Sequence, residues 1–333
     1  MHTRSLGPFT VTAIGLGCMN LSHAYGTPPS AEQGEKLLLA AIDAGVTLFD
    51  TAALYGFGSN EKLVGRVLKP YRDRITLCSK GGMAGVPDAQ GVVKRVIDGR
   101  PEAIYRDCEN SLRNLQTDVI DLYYLHRWDK KIPVEESVGA LGRLVEQGKI
   151  RTIGLSEVGA QTIRRAHAEH PVTAVQTEYS LCTRNPEIAV LGACRELGIN
   201  FVPFSPVARA FLCDALPDVT TLDAKDIRRN MPRYAPEHHA RNLQLLPAYR
   251  ELAREAGCTP AQLALAWLLH QGDHIIPIPG TTNADHLRED LGAADVRLDR
   301  GLLERLDALI NEKTISGNRY SEQSNREVDT EVF

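Results

Sequence analysis

Three apolar runs within the first 126 residues each end on an ionisable side chain. TLFD ends at Asp50, ITLCSK ends at Lys80 and VIDLYYLH ends at His126. Tyr55 follows the first of these runs by five residues. A set of Tyr, Lys, Asp and His suits the reduction of a carbonyl group, because the developing alkoxide needs a proton from a donor that works near neutral pH. We therefore interpret these residues as parts of one catalytic site.

Each member of the set has a chemical role in this interpretation. A free phenol has a pKa of about 10, and a Lys80 ammonium beside it would lower the pKa of Tyr55. Asp50 would hold Lys80 charged and in place, and His126 would orient the substrate or relay the proton. Taken singly, each residue has an ordinary alternative, such as packing, a helix cap or a solvated strand end. The interpretation depends on their occurring together.

Eight strand-like runs alternate with amphipathic helical stretches along the chain. The runs are IGLGCM, TLFDTA, ITLCSK, VIDLYYLH, IRTIGLS, AVQTEYS, NFVPFS and IIPIPG. Repeated strand and helix units predict parallel strands, and eight units close a barrel whose chemistry lies at the C-terminal ends of the strands. The predicted fold class is α/β, a (β/α)8 TIM barrel with an N-terminal β-hairpin (RSLG against FTVTAI) and a C-terminal helix and tail.

The organisation between the strands supports a single domain over residues 1–333, since no linker divides the chain. Ser30 begins a capping box before the first helix, and Gly45 is placed to end that helix. The region from Arg209 to Pro236 lacks clear periodicity, and after the seventh strand of a barrel we expect such a loop to act as a lid. The polar tail, residues 316–333, is expected to pack loosely.

Composition restricts the partners and the compartment. The formal net charge is −4, the pI is about 6.2 and no basic block occurs, so nothing favours nucleic acid. No run is long and apolar enough for a membrane span or a signal peptide, which predicts a cytoplasmic protein. The seven cysteines are odd in number and scattered, which indicates neither a disulfide framework nor a zinc site. The expected partner is a small molecule.

Ordered motifs cover nearly the whole chain. They are GLGCM (15–19), DTAALYG (50–56), CSK ending at 80, YLHRWD (124–129), GLSE (154–157), QTEYSL (176–181), PFSP (203–206) and IPGTT (278–282). Together they resemble the aldo-keto reductase superfamily, in particular a bacterial and plant branch that includes pyridoxal reductase-like enzymes. The resemblance implies NAD(P)H-dependent reduction of an aldehyde or ketone to the alcohol. It places the catalytic tetrad on Asp50, Tyr55, Lys80 and His126.

The resemblance also implies a nicotinamide cofactor lying extended across the mouth of the barrel. Ser156 and Gln176 would bind the carboxamide, and Phe204 would stack on the nicotinamide ring. The residues implied for the phosphates and the adenine are Ser205, Val207, Arg209, Gly280, Thr281, Thr282, Glu289 and Asp290. The segment GTTNADH (280–286) lacks the basic residue that often follows the glycine, which leaves His286 and Arg288 as candidates for a 2′-phosphate. Family habit favours NADP(H) over NAD(H).

Loop aromatic residues are candidates for the substrate pocket, namely Tyr25, Phe57 and Trp128. An aromatic mouth favours an apolar or aromatic aldehyde.

Two other functions stay open from the sequence. A Schiff-base aldolase on the same barrel could use Lys80, although a paired carboxylate raises the pKa that such a lysine needs lowered. The chain could instead be a cofactor-binding regulatory subunit, since some barrels of the resembled superfamily serve as ion-channel partners.

Overall fold

The strands and helices alternate along the chain in a computed structural model that describes residues 2–22, 24–213, 216 and 218–333. Strands β1 to β11 span Thr3–Leu6, Phe9–Thr12, Leu16–Gly17, Leu48–Asp50, Thr76–Gly81, Met83–Pro87, Val93–Ile97, Ile120–Leu125, Ile150–Ser156, Val172–Glu178 and Asn200–Phe204. Helices α1 to α12 span Ala31–Asp43, Ser59–Leu68, Pro101–Leu115, Val134–Glu146, Ala160–Glu169, Val190–Leu197, Pro236–Leu243, Leu246–Glu255, Pro260–His270, Ala284–Gly292, Arg300–Leu309 and Glu322–Asn325.

Seven of the strands pair in parallel, in the order β11, β10, β9, β8, β5, β4, β3. Every residue of β5 and β8 is buried, because the strands carry helices on one face and the barrel interior on the other. The predicted alternation of strand and helix is confirmed. All the parallel strands therefore present their C-terminal ends to the same mouth.

The segment 275–279 closes the barrel in the place of an eighth strand. On one side, the amides of Ile276 and Ile278 donate to carbonyls of β11 over 2.9 and 3.1 Å. On the other side, the carbonyls of Pro277 and Pro279 accept from Gly15 and Gly17. A proline has no N–H to donate, so the hydrogen bonds on this second side run in one direction only. The predicted (β/α)8 barrel is confirmed, with an irregular last strand.

The N-terminal β-hairpin is confirmed and covers the end of the barrel away from the mouth. β1 and β2 pair antiparallel with Thr3 opposite Thr12. Asn200, at the start of β11, accepts from the Gly7 amide over 2.9 Å and donates to the Ser5 carbonyl over 2.7 Å. Leu6 packs with strand side chains in the barrel interior. The hairpin thus plugs the bottom of the barrel and leaves the other end for chemistry.

Helix α1 begins and ends where the sequence signals indicated. The Ser30 hydroxyl accepts from the Gln33 amide over 3.2 Å, and the Gln33 side chain accepts from the Ser30 amide over 2.9 Å. Gly45, just past the helix, has a φ of +83°, a left-handed conformation that glycine adopts without strain. These caps fix where the chain enters β4, the strand that ends at Asp50.

A second hairpin, β6 and β7, was not predicted. It pairs Met83 with Ile97 and Pro87 with Val93 directly after β5. The turn is held by the Asp88 carboxylate, which accepts from the amides of Gln90 and Val92. Glycines and a proline break the apolar pattern in this stretch, which hid both short strands. The hairpin stands beside the mouth of the barrel.

The C-terminal tail is bound to the barrel, so the expectation of loose packing is wrong. Arg319 is buried and its two terminal nitrogens donate to the two carboxylate oxygens of Glu157 over 3.0 and 2.6 Å. Farther on, Asp329 accepts from the Thr162 hydroxyl over 2.6 Å, and Glu331 accepts from the Ala160 amide over 2.8 Å. A buried charge is stable only when it is paired. The tail is therefore held across the mouth.

Among the residues that the structure describes, no helix is both long enough and apolar enough to cross a membrane. The seven cysteines are free thiols. In the same described part of the chain, no group of three or more His, Cys, Asp or Glu residues is arranged to hold a metal ion.

Candidate active site

The four residues of the predicted tetrad meet at the C-terminal ends of neighbouring strands. Asp50 is the last residue of β4, Lys80 is the penultimate residue of β5, and His126 follows β8. Tyr55 begins a short 3-10 turn over Tyr55–Gly58 that leads into α2. All four side chains are buried. The strand order β8, β5, β4 brings them together, as the sequence pattern suggested.

Lys80 is the centre of the cluster and has no exposed surface. Its ammonium donates to the Asp50 carboxylate over 2.5 Å, to the Thr51 carbonyl over 2.8 Å and to the Tyr55 hydroxyl over 3.3 Å. These bonds use the three donors of an ammonium. Burial lowers the pKa of Lys80, but the Asp50 carboxylate and the Tyr55 phenol outweigh burial and the net shift is upward. Lys80 is therefore a fixed cation.

The pKa of Tyr55 differs from the expectation that Lys80 would bring it below that of a free phenol. Burial raises the pKa of Tyr55 and is the largest effect; Lys80 lowers it, and Asp50 raises it. The net direction is upward because the phenol has lost most of its contact with water. Tyr55 thus stays protonated at neutral pH, and Lys80 is placed to stabilise the phenolate left after proton donation.

Two more side chains complete the surroundings of the tetrad. The ring of His126 meets the ring of Tyr55 edge to face, with centroids 5.9 Å apart and planes at 86°. The Gln176 amide nitrogen donates to the second Asp50 oxygen over 2.9 Å. Gln176 therefore helps to fix Asp50, in addition to the carboxamide contact predicted for it.

A cavity of about 720 Å³ opens above the tetrad. Asp50, Tyr55 and His126 line it, whereas Lys80 lies beneath its wall. Twelve of the residues predicted to bind the cofactor line it as well, namely Ser156, Gln176, Phe204, Ser205, Val207, Arg209, Gly280, Thr281, Thr282, His286, Glu289 and Asp290, whereas Arg288 does not. The structure thus brings the predicted cofactor residues and the tetrad to one continuous cavity.

The far part of this cavity has features that suit phosphate groups. The loop after β11 has left-handed backbone at Ser205, Ala208, Arg209 and Ala210, which is a strained conformation for residues other than glycine. Thr281 and Thr282 also line the cavity and precede Asn283, the N-cap of α10, whose N-terminal amide groups form a positive helix end. Both segments therefore offer groups that could hold a dinucleotide.

Two predicted cofactor residues have surroundings that change what they can offer. The Arg209 guanidinium donates to the Glu178 carboxylate over 2.9 Å and to the Tyr25 hydroxyl over 3.2 Å, so its charge is already balanced. Burial, together with the neighbouring Glu289, raises the pKa of Asp290 to about 7. Near neutral pH, a fraction of Asp290 therefore carries a proton and can donate a hydrogen bond.

The structure places only one of the three residues predicted to bind substrate at the cavity. Tyr25 lines the cavity, but Phe57 and Trp128 do not. Phe57 is 51% exposed, and its ring lies over the Gly85 backbone in the β6–β7 hairpin. The indole nitrogen of Trp128 donates to the Ile132 carbonyl over 2.8 Å within its own loop. Of the three, only Tyr25 lines the cavity, where its hydroxyl accepts from Arg209.

Several residues that line the cavity were not predicted. They include Met19, Asn20, Arg95, Arg127, Arg228, Tyr320, Ser324, Glu327 and Val328. Arg95 of β7 forms an ion pair with Glu327 of the tail, so the hairpin and the tail meet at the mouth. The position of Arg127 directly after His126 was a usable signal in the sequence. No comparable sequence signal pointed to the tail residues, because their contacts join distant parts of the chain.

Comparisons with known proteins agree with this geometry. A model of the aldo/keto reductase family matches residues 13–311. A probable aldo-keto reductase 1 of Glycine max is 42% identical over 94% of this chain and 89% of that protein. The aldo-keto reductase yakc [NADP(+)] of Schizosaccharomyces pombe is 42% identical over 96% of this chain and 94% of that protein.

Two solved structures have the same architecture. An aldo/keto reductase from Klebsiella pneumoniae in complex with NADP and acetate is 30% identical, covers 96% of this chain and 98% of its own, and has a TM-score of 0.72. The glycerol dehydrogenase from Gluconobacter oxydans is 24% identical with a TM-score of 0.85, and covers 96% of this chain and 98% of its own. The second likeness concerns the fold alone.

Replacing Lys80 by Met should move the pH dependence of carbonyl reduction. The phenol must be protonated to donate, so the rate falls as the pH rises through the pKa of Tyr55. Lys80 lowers that pKa, and its loss should shift the fall to higher pH while reducing kcat by about 10²-fold or more. Profiles of kcat/KM from about pH 6 to about pH 11 measure the shift. Lys62→Met on the surface of α2 is the control, and an unchanged inflection in an active Lys80→Met enzyme contradicts the pairing.

Proposed function

The chain belongs to the aldo/keto reductase family, and on this premise we propose that it reduces an aldehyde or ketone to the alcohol with NADPH, the Tyr55 phenol donating the proton. The observation that carries the proposal is the hydrogen bond from the buried Lys80, whose pKa is raised by Asp50 and Tyr55, to the Tyr55 hydroxyl. A cation in that position stabilises the phenolate as the proton leaves. A small carbonyl compound is the substrate.

The walls of the cavity supply the binding groups for the cofactor. Bound NADPH supplies the hydride. Ser156, Gln176 and Phe204 would hold the nicotinamide end, because they lie in the C-terminal halves of β9, β10 and β11 and line the same cavity as the tetrad. The groups proposed for the phosphates and the adenine are Ser205, Val207, Arg209, Gly280, Thr281, Thr282, His286, Glu289 and Asp290. The positive end of α10 and the left-handed turn after β11 support this assignment.

Proton transfer is proposed to run from Tyr55 to the carbonyl oxygen as the alcohol forms. The His126 ring, set edge-on to Tyr55, would orient that oxygen beside the phenol. Asp50 would keep Lys80 charged and would itself be held by Gln176. With its bonds to Asp50 and Thr51, Lys80 has a fixed position, so the phenol needs no rearrangement of its neighbours during the step.

The two alternative functions have less support. A Schiff-base aldolase needs an uncharged lysine, whereas the pKa of Lys80 is raised and all three of its donors are engaged. A regulatory subunit would have no need for a complete tetrad beneath an open cavity. We propose that residues 1–333 act as one barrel domain, since the tail binds back onto the mouth.

The long loop after the seventh strand is proposed to act as a lid over the cofactor. Residues of this loop that line the cavity are Arg209, Ala210, Cys213, Ile227, Arg228 and Met231. Tyr25, which lines the same cavity as the tetrad, is proposed to contact the substrate. The wider cavity wall also contains apolar groups such as Leu54 and Val328, which suit an apolar or aromatic body on the aldehyde.

Replacing Tyr55 by Phe should lower kcat by about 10²-fold or more, because the variant lacks the general acid. The Kd for NADPH, measured by fluorescence titration, should stay close to that of the unmodified enzyme, since only one hydroxyl group is removed. Tyr105→Phe in α3, away from the cavity, is the matched control. Turnover by Tyr55→Phe near the unmodified rate would remove Tyr55 from the proposed role.

The choice of cofactor should depend on the basic side chains of α10. His286 lines the cavity, while Arg288 forms an exposed ion pair with Asp285. The double variant His286→Ala/Arg288→Ala should raise KM for NADPH by about 10-fold and leave KM for NADH nearly unchanged, because only NADPH loses a charge-assisted hydrogen bond. NADH is thus the internal control. Equal KM values for both cofactors in the unmodified enzyme would contradict a 2′-phosphate site.

A further inference from the structure

The arginines that line the cavity differ in whether their charge is balanced. Arg95 pairs with Glu327, Arg209 pairs with Glu178, and Arg228 pairs with Asp226. Within residues 2–22, 24–213, 216 and 218–333, no carboxylate lies at ion-pair distance from Arg127. Arg127 therefore presents a positive charge to the cavity that the protein itself does not neutralise.

The bonds that Arg127 does form hold it in place without using most of its donors. One terminal nitrogen, Nη1, donates to the His126 carbonyl over 2.7 Å and to the Ser156 hydroxyl over 3.1 Å. Both acceptors are neutral. A guanidinium carries five N–H donors, so the N–H groups on Nε and Nη2 are left for another acceptor. A planar fork of this kind matches a carboxylate.

The position of Arg127 indicates which molecule would bring that acceptor. It directly follows His126, and its charge lowers the pKa of Tyr55, so it lies at the catalytic end of the cavity. The groups assigned to the phosphates are on other elements, the loop after β11 and the segment before α10. An anion beside Tyr55 and Arg127 would therefore belong to the substrate rather than to the cofactor.

We propose that Arg127 binds a carboxylate carried by the carbonyl substrate, so that the enzyme acts on keto acids or aldehyde acids. This inference rests on the proposed reductase function and specifies its substrate class. An apolar or aromatic body remains compatible with the cavity, with the carboxylate placed at Arg127 while Tyr55 faces the carbonyl oxygen.

Pairs of aldehydes matched in size and differing in charge test the proposal. Suitable probes are 4-carboxybenzaldehyde against 4-methylbenzaldehyde, and succinic semialdehyde against pentanal, each with NADPH. In the unmodified enzyme, kcat/KM should be about 10- to 100-fold higher for the carboxylate in at least one pair, mainly through a lower KM. Arg127→Met should bring that ratio close to one, and Arg127→Lys should restore part of it.

A substitution of Arg127 that disturbs Tyr55 would change kcat/KM for both aldehydes of a pair by the same factor. Such an effect therefore cancels in the ratio of the two kcat/KM values. The matched control is Arg95→Met/Glu327→Gln, which removes a balanced ion pair from the same cavity and should keep the ratio of the unmodified enzyme. A ratio near one in the unmodified enzyme, or an unchanged ratio in Arg127→Met, overturns the proposal. Failure to reduce any of the four aldehydes instead overturns the proposed reductase function, and the substrate class with it.

Discussion

Lys80 keeps a positive charge at a position without solvent exposure, and the active site depends on how that charge is compensated. Two buried charges are expensive to remove from water, and breaking such a pair typically costs about 3–5 kcal/mol. Here the cost is offset by close contacts to Asp50, to the Thr51 carbonyl and to the Tyr55 hydroxyl. The pairing of β4 with β5 places these groups side by side. The geometry of the site thus follows from the pairing of neighbouring strands.

The mouth of the barrel is built from segments that are far apart in the chain. The β6–β7 hairpin and the tail meet through Arg95 and Glu327. The tail is also fixed by the buried pair between Arg319 and Glu157. Glu157 adopts a left-handed backbone conformation with a φ of 57°. The β6–β7 hairpin, the tail, the loop after β11 and α10 thus all line the same cavity.

Much of this architecture could be predicted because its signals are local. Asp50, Lys80 and His126 each end an apolar run, and parallel strands necessarily bring such ends together. The Arg319 contact to Glu157 joins residues 162 positions apart, and no local sequence pattern at either residue predicts it. The upward shift of the Tyr55 pKa likewise depends on burial by surrounding elements, which the local sequence does not show. Trp128 lies two positions after His126 in the sequence, yet its indole nitrogen donates to the Ile132 carbonyl within its own loop.

The charge state of Lys80 is the most direct test of the account. Lysine labelled with ¹³C at Cε gives an NMR signal that reports protonation, and the Lys80 signal can be identified by its loss in Lys80→Met. Over a titration from about pH 7 to about pH 11, we predict that this signal keeps the position of a charged ammonium after the exposed lysines have begun to titrate. Titration of Lys80 below the ordinary lysine value of 10.5 would contradict the account.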